Sequence, residues 1–446
     1  MLVLGSALLV LAANPPAGTS EPAPANLEPL SEQTQPTAQP APAGPKAFDP
    51  EAETEAYLAR LTPEQRRRSD AYFEGGYWLQ LWDFLLNVGI AGLLLATGLS
   101  AALRDRIERW TGRFWLQALL YSLVYILVSA LLTFPMTLYE GFFREHQYGM
   151  SNMTFAAWMK DASIGLGVGL VLGGTALTVL YGVLRRTPRT WWLWGSAVGL
   201  VFSTLLTLIY PVFIAPLFNQ FTPLHDAALR DDILSLARAN GIPATDVYQV
   251  DASRQTKRVS ANVSGFLGTL RISLNDNLLN RCSRAEIREV MGHEMGHYAL
   301  HHVYEGILFF AVVIVAGFAF LRWSFDRVLR GFGRSWRIRG VADPAGMPLL
   351  SALLAVYFFV LTPVINTQTR VDEAEADLFA LNAAREPEGA AEIALKLGEY
   401  RKLAPGPLEE AIFFDHPSGR SRIRMAMRWK AEQMREAPRS APNPAP

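Results

Sequence analysis

The stretch REVMGHEMGHYALHH, residues 288–302, contains four of the seven histidines of this 446-residue chain. His293 and His297 are four residues apart, so on a helix both side chains lie on one face, with Cβ atoms about 5 to 6 Å apart. Two such imidazoles can bind one zinc ion, which in catalytic sites takes a third protein ligand and leaves a position for water. Glu294 follows His293 directly and is placed to take a proton from that water, so the motif predicts zinc-dependent hydrolysis.

The third zinc ligand must come from outside this motif. A metzincin has a glycine three residues and a histidine six residues after the second motif histidine, whereas Leu300 and Val303 occupy those positions here. His301 and His302 follow on the same predicted helix and are poor ligands by geometry, although His301 lies nearer the metal-facing side. We expect both to form a polar helix end that the helix dipole stabilises.

An acidic segment further along the chain offers the missing ligand. TRVDEAEADLFAL, residues 369–381, has four acids in six positions. Glu373 and Asp377 are four residues apart and share a helix face, so one can bind zinc while the other accepts the free N–H of a zinc-bound histidine. Asp372 and Glu375 would point away, towards solvent. We expect one zinc ion per chain, although cobalt and manganese accept similar ligands.

The motif helix closes a predicted water-soluble α/β unit, residues 215–303. Ser283 has Glu286 three residues on, which predicts a capping box at the helix start. Upstream, LRDDILSLARANGIP has the pattern of an amphipathic helix stopped by glycine and proline. The runs VYQVDAS and TLRISLN favour β-strands, and the Ser/Gly-containing segment between them is compatible with a hairpin.

Composition and its distribution indicate a membrane protein. The chain is 50% hydrophobic and 18% charged, with 41 basic and 41 acidic residues, so no nucleic-acid partner is expected. Charge-poor stretches of roughly 20 residues recur, each long enough to cross a hydrocarbon core about 30 Å thick. Their repetition argues against buried core helices of a soluble protein. The six stretches are residues 77–103, 114–139, 162–184, 191–213, 304–321 and 347–365.

The two ends of the chain differ from the rest. Residues 1–13 are apolar but short and lack a basic start, which predicts a signal peptide or a weak anchor. Residues 14–50 are rich in proline and alanine and predict a flexible linker, and residues 431–446 predict a disordered tail. The single cysteine, Cys282, excludes an internal disulfide bond and a cysteine-based zinc site.

Arginines cluster in the loops after the first, third and fifth predicted spans. With six spans these loops share one side of the membrane, which the positive-inside rule makes the cytoplasmic side. The His-rich helix then lies on the opposite side, as do the linker and the tail. The basic residues 66–68 argue weakly in the other direction. The expected location is a bacterial inner membrane.

From about residue 72 to 429 the sequence resembles the membrane-embedded zinc endopeptidases of the CAAX prenyl protease type, with the heat-shock membrane protease HtpX as a more distant relative. The resemblance implies a mainly α fold, a polytopic helical barrel around a water-filled chamber, with a small, gluzincin-like α/β metallopeptidase unit. It also implies a peptide or protein substrate with a C-terminal lipid. The segments that carry it are YPVFIAPLFNQFTPL (210–224), HEMGH (293–297), TRVDEAEAD (369–377) and DHPSGRSRI (415–423).

The same resemblance implies a set of zinc-site residues. His293, His297 and Glu373 correspond to the family's three zinc ligands. Asp377 corresponds to the carboxylate that supports them, and Arg370 to the basic position of the acidic motif.

Substrate and transition-state contacts are also implied. His416 corresponds to a histidine that helps to stabilise the oxyanion, with Arg422 nearby in the same motif, and Asn262 to an asparagine that contacts the substrate backbone. The sequence departs from the family in three places. Thr369 replaces the usual serine, NVSG replaces an aromatic-containing strand, and six spans are predicted where the eukaryotic members have seven.

These inferences predict an integral-membrane zinc metalloendopeptidase of the CAAX prenyl protease type. A broad quality-control protease is an alternative within the same enzyme class. A non-catalytic scaffold or transporter with a structural zinc is a second alternative, which a closed four-ligand site would favour, but three ligands plus an unligated Glu294 favour an enzyme. The expected segments are residues 1–13, 14–50, 51–214 with spans one to four, 215–303, 304–366 with spans five and six, 367–430 and 431–446.

Overall fold

The computed structural model describes residues 48–264 and 270–436 of the chain. The predicted signal peptide, nearly all of the predicted linker and most of the predicted tail lie outside these residues. The last helix reaches Glu436, beyond the boundary at residue 430 that the sequence suggested.

The described residues before β1 form helices, two of which continue past their α-helical bounds. The helix that begins at Phe114 continues through a π-helical turn to Gln147. The helix that begins at Trp191 continues through a π-helical turn and a 3₁₀ turn to Leu217. Gly98, with φ of 73°, separates the second helix from the third. The predicted first span, residues 77–103, crosses this break and was wrong there, because apolar composition continues through the turn. The helices are α1 (Pro50–Ala59), α2 (Pro63–Ala96), α3 (Leu99–Trp110), α4 (Phe114–Leu138), α5 (Phe155–Arg186) and α6 (Trp191–Ile209).

A four-stranded sheet and three helices follow. Their elements are β1 (Phe221–Pro223), α7 (Ala227–Ala239), β2 (Val247–Val250), β3 (Ala261–Ser264), β4 (Arg271–Asn275), α8 (Asp276–Arg281) and α9 (Arg284–Ala299). The strand order is β1-β2-β4-β3, with β2 and β4 parallel and the other neighbours antiparallel. The two predicted β-rich runs are β2 and β4, and they do not form a hairpin with each other. The strand between them, β3, pairs with β4 at the sheet edge and is too short to show a period of two.

Two more long helices and three shorter ones follow, up to the last described residue, Glu436. They are α10 (His302–Trp336), α11 (Met347–Ala384), α12 (Pro387–Leu397), α13 (Pro407–Phe413) and α14 (Gly419–Glu436). The predicted sixth span and the acidic segment form one continuous helix, α11, of 38 residues. Pro363 lies inside this helix without ending it. The acidic residues are therefore held rigidly on the last turns of a membrane span.

Six helices of the described residues are long and apolar enough to cross a membrane, which confirms the predicted number of spans. At most 22% of the apolar window of any of them is buried. They surround a cavity of about 2390 Å³, and most of their side chains face outward or line this cavity. A smaller buried cluster, which includes Tyr121, Tyr181 and Phe325, packs the helices against one another. The six are α2, α4, α5, α6, α10 and α11, and the cavity wall continues onto α9.

Contacts between loops confirm that the three arginine-rich loops lie at one end of the bundle. Arg104 of α3 forms a buried ion pair with Asp343, just before α11, at 2.5 Å. Arg185, at the end of α5, lies 4.2 Å above the ring of Phe114 at the start of α4. Which side of the membrane this end faces stays a prediction.

Candidate metal centre and active site

Helix α9 carries the two motif histidines and begins as predicted. The Ser283 hydroxyl accepts a hydrogen bond from the Glu286 N–H at 3.3 Å, and the Glu286 carboxylate accepts one from the Ser283 N–H at 2.6 Å. These two bonds confirm the capping box. Glu286 also pairs with Lys396 of α12 at 2.7 Å, which ties the start of α9 to its neighbour.

Two glycines in α9 allow α11 to approach closely. A Cβ atom at Gly292 would lie 3.1 Å from the Cα of Ala380, and one at Gly296 would lie 3.1 Å from the Cα of Ala376. Carbon atoms in optimal contact are about 3.5 to 4.0 Å apart. Pairs of small residues, four apart on each helix, therefore form a close helix–helix contact. This contact brings the acidic turns of α11 to the histidines.

Three side chains converge at this contact. His293 Nε2 lies 3.1 Å from His297 Nε2 and 3.2 Å from Glu373 Oε2. His297 Nε2 lies 3.5 Å from Glu373 Oε1. Tetrahedral zinc, with bonds of about 2.0 to 2.2 Å, requires ligand atoms about 3.4 Å apart, so both the donor types and their spacing fit zinc. The geometry favours Glu373 over Asp377 as the third ligand, and these three residues form a group that could hold a metal ion.

Asp377 lies behind the first histidine. Its Oδ1 is 2.8 Å from His293 Nδ1 and also accepts a hydrogen bond from Arg422. A carboxylate at the far ring nitrogen fixes the ring and leaves Nε2 free for a metal. Burial lowers the pKa of Arg422, but the carboxylates of Asp377 and Glu373 outweigh burial and raise it. The contact that Arg422 makes is thus with the supporting carboxylate.

His302 lies behind the second histidine. Its Nδ1 is 2.9 Å from His297 Nδ1, and its Nε2 is 3.3 Å from Glu375 Oε2. The predicted polar helix end is therefore wrong for His302, which is buried, although His301 is exposed. Helix α9 ends at Ala299, and His301 adopts a φ of 67°, which turns His302 back towards the site. No glycine or proline marks this break, so it could not be read from the sequence.

The ligand cluster has a strongly negative field. Burial lowers the pKa of His293, but the carboxylates of Glu373 and Asp377 outweigh burial and raise it to about 10. The same field favours a divalent cation among these groups. Burial raises the pKa of Glu294, which suits a group that accepts a proton near neutral pH.

The loop before α14 brings His416 to the ligand cluster. Its Nε2 lies 3.2 Å from Glu373 Oε2, and its Nδ1 lies 2.8 Å from Asp415 Oδ1. Burial raises the pKa of Asp415, but His416 outweighs burial and lowers it to about 2. Arg370 donates hydrogen bonds to two backbone carbonyl oxygens in the residues just before this loop, so it helps to position His416.

Asn262 lies on β3, the edge strand of the sheet. It is exposed and stands opposite Ser273 of β4 in the register. Helix α9 packs against β3, so this edge runs beside the motif helix. An edge strand offers unpaired backbone groups to an extended peptide.

The structure brings the predicted site residues, with the exception of Arg370, to one cavity. His302 and the two glycines of α9 were missed, although GHEMG, with glycines four apart, is a visible signal for close helix packing. The predicted residues that line the cavity are Asn262, His293, Glu294, His297, Glu373, Asp377, His416 and Arg422.

Two family models match the chain, one after the other. Residues 50–220 match the CAAX prenyl protease N-terminal region, described by five membrane helices. Residues 223–430 match peptidase family M48. Among the described residues of the first region, four helices are long and apolar enough to cross a membrane.

Known proteins are similar over most of the chain. The uncharacterized metalloprotease YhfN of Bacillus subtilis is 33% identical over 352 residues, which is 77% of this chain and 82% of that protein. CAAX prenyl protease 1 of Saccharomyces cerevisiae is 28% identical over 313 residues, 66% of this chain and 69% of that protein. The crystal structure of S. mikatae Ste24p shares the fold with a TM-score of 0.68 at 22% identity, covering 85% of this chain and 95% of that chain. The chain therefore belongs to peptidase family M48 and is a multi-pass membrane metalloprotease, a zinc metalloendopeptidase.

Proposed function

We propose that this peptidase cleaves proteins near a C-terminal lipid, as a CAAX prenyl protease does. The observation that carries the proposal is the cavity, which runs from among the membrane helices to the histidines of α9. Its volume of about 2390 Å³ exceeds the roughly 300 to 1,000 Å³ of a small-molecule pocket. This space can hold both a lipid chain and the peptide next to it.

The lining of the cavity supports the same substrate class. Apolar side chains from the spans form much of the wall, among them Ile90, Leu172, Phe202 and Leu354. These side chains provide an apolar surface for a lipid chain. The polar catalytic groups lie on the same wall, where they face the cavity rather than the hydrocarbon of the bilayer.

The ligand set proposed for zinc is His293, His297 and Glu373. When bound, zinc supplies the Lewis acidity that makes a water molecule nucleophilic near neutral pH. Glu294 takes the proton of the attacking water and returns it to the leaving amine. Asp377 orients His293 through Nδ1, at 2.8 Å.

The remaining predicted residues act on the substrate. His416, which lies 3.2 Å from Glu373, donates an N–H to the developing oxyanion. Arg422 supports the site through Asp377, and a direct contact with the oxyanion stays a prediction. Asn262 and the free edge of β3 hold the substrate backbone in an extended conformation.

The test compares the purified full-length chain with its Glu294→Gln variant in detergent. Zinc content is measured for both, together with cleavage of a farnesylated peptide and an unmodified peptide of the same sequence. We expect one zinc in each protein, and cleavage by the wild type about 10²- to 10⁴-fold faster than by the variant. Preference for the farnesylated peptide supports the proposed substrate.

The other outcomes separate the alternatives. Equal cleavage of both peptides by the wild type would indicate a broad membrane quality-control protease. Bound zinc with no difference in cleavage between wild type and Glu294→Gln would favour a non-catalytic scaffold or transporter.

A further inference from the structure

A second group of metal-binding side chains lies beside the proposed zinc site. His302 at the start of α10, Glu305 one turn later and Asp372 of α11 each offer a ligand atom, and these atoms lie within 4.8 Å of one another. His302 is buried, Asp372 is half-buried and Glu305 is exposed. His302 and Asp372 also line the cavity, so an ion can reach them from it.

The charge around this group is not balanced by protein cations. Glu305 and Asp372 form no ion pair with a lysine or arginine among residues 48–264 and 270–436, and neither does the neighbouring Glu375. Asp372 accepts a hydrogen bond from the neutral amide of Gln368 at 2.8 Å, and Glu375 faces His302 at 3.3 Å. Glu375 is exposed, as expected, whereas Asp372 is half-buried and lines the cavity, so the expectation that Asp372 points towards solvent was wrong. Three carboxylates surround one imidazole and leave room for a cation.

We propose that His302, Glu305 and Asp372 form a second, inhibitory site for a divalent transition metal such as zinc. One imidazole nitrogen with carboxylate oxygens suits zinc, cobalt or manganese, whereas calcium prefers oxygen ligands alone. The ligand atoms, up to 4.8 Å apart, must close by about 1.4 Å to reach the 3.4 Å spacing of tetrahedral zinc. This site therefore binds more weakly than the first, where the spacing is already 3.1 to 3.5 Å.

Inhibition follows from the hydrogen bond between His302 and His297. When His297 Nε2 is a metal ligand, its Nδ1–H donates to His302 Nδ1 at 2.9 Å, so the hydrogen of His302 is on Nε2 and points to Glu375. A metal on His302 needs the lone pair of Nε2, and the hydrogen then moves to Nδ1. Two N–H groups would face each other, which removes the support of His297.

The test measures metal content and cleavage at the same free zinc concentration. The full-length protein in detergent is dialysed against buffers of defined free zinc, and the metal per chain is counted. We expect one zinc at low concentration and two at high concentration, with cleavage falling as the second binds. The double variant Glu305→Gln, Asp372→Asn should stop at one zinc, and half-inhibition should need at least tenfold more zinc. Asp326→Asn, an exposed acid of α10, is the matched control and should behave as wild type.

Equal zinc binding and equal inhibition of wild type and double variant would overturn the inference, as would the loss of the first zinc in the double variant. Calcium at the same concentrations should leave cleavage unchanged. Failure of this proposal and failure of the proposed function would give different results. A chain without zinc at low concentration, but with one at high concentration that depends on Glu305 and Asp372, would support this site and overturn the catalytic one.

Discussion

Gly296 controls how closely the motif helix approaches the helix that carries the carboxylates, and Gly296→Ala tests this. A Cβ atom at this position would lie 3.1 Å from the Cα of Ala376 and 3.2 Å from the Cβ of Phe379. The first contact is with backbone, so a rotamer change of a neighbouring side chain cannot relieve it. Helix α11 must move away from α9, and it carries Glu373 with it.

The size of this movement can be compared with what a metal site tolerates. Optimal carbon contacts of about 3.5 to 4.0 Å require a displacement of about 0.4 to 0.9 Å from 3.1 Å. Metal–ligand distances tolerate only about 0.2 Å. Overpacking costs about 1 to 3 kcal/mol, which corresponds to roughly 5- to 150-fold weaker zinc binding where it is released at the site.

Zinc affinity is measured by competition with a chelator in detergent. Alanine is favoured over glycine in a helix by up to about 1 kcal/mol, which offsets part of the overpacking cost. We therefore expect a small change in the melting temperature of the metal-free protein, together with a clear loss of zinc affinity. Gly331→Ala in α10 is the control, because no atom lies within 4 Å of its added Cβ. Wild-type zinc affinity in Gly296→Ala would refute the idea that this contact sets the ligand spacing.

Three further substitutions test the groups around the ligands. Asp377→Asn should weaken zinc binding about 10- to 100-fold, because the amide does not hold the imidazole N–H as a carboxylate does, and unchanged chelator competition would contradict this. His302→Asn should also weaken zinc binding, whereas His301→Asn, an exposed position with φ of 67°, should not, and equal effects of the two changes would remove the role of His302. Burial raises the pKa of Glu289 from 4.5 to about 8, so the folded state keeps a proton that the unfolded chain releases in this range, and the free energy of unfolding falls as the pH rises from 4.5 to 8. Glu289→Gln should therefore gain in melting temperature relative to wild type across that window, and a constant difference would contradict the buried proton.

The membrane architecture could be predicted because composition and length decide it. A charge-poor stretch of about 20 residues has few alternatives to crossing a bilayer, and six such stretches gave the correct number of helices. The break at Gly98 was not predicted in the same way, because the apolar run continues past it through residues 99–103. The parallel pairing of β2 with β4 was missed because it depends on β3, a strand of four residues.

For the candidate site, the features that depend on local spacing could be predicted, and those that depend on helix packing could not. Local spacing predicted the face shared by His293 and His297, because four residues make about one helical turn. It also placed Glu373 and Asp377 on one face, but it could not say which carboxylate would lie nearer the metal. That choice depends on how α11 is positioned along α9, which the glycine and alanine contacts determine. His302 was missed because its position depends on a helix break at His301.

The third proposed zinc ligand, Glu373, lies on the same helix as the sixth membrane span, and this bears on substrate choice. Glu373 lies eight residues beyond the predicted apolar stretch that ends at residue 365, which is about 12 Å along a continuous helix. The proposed zinc site is thus held at a fixed distance from the apolar part of the cavity by a rigid element. A lipid chain seated among the spans would bring only those peptide bonds that lie a set distance from it to Glu294. Under the proposed function, such a geometry would select the cleavage position by distance from the lipid rather than by side-chain pockets.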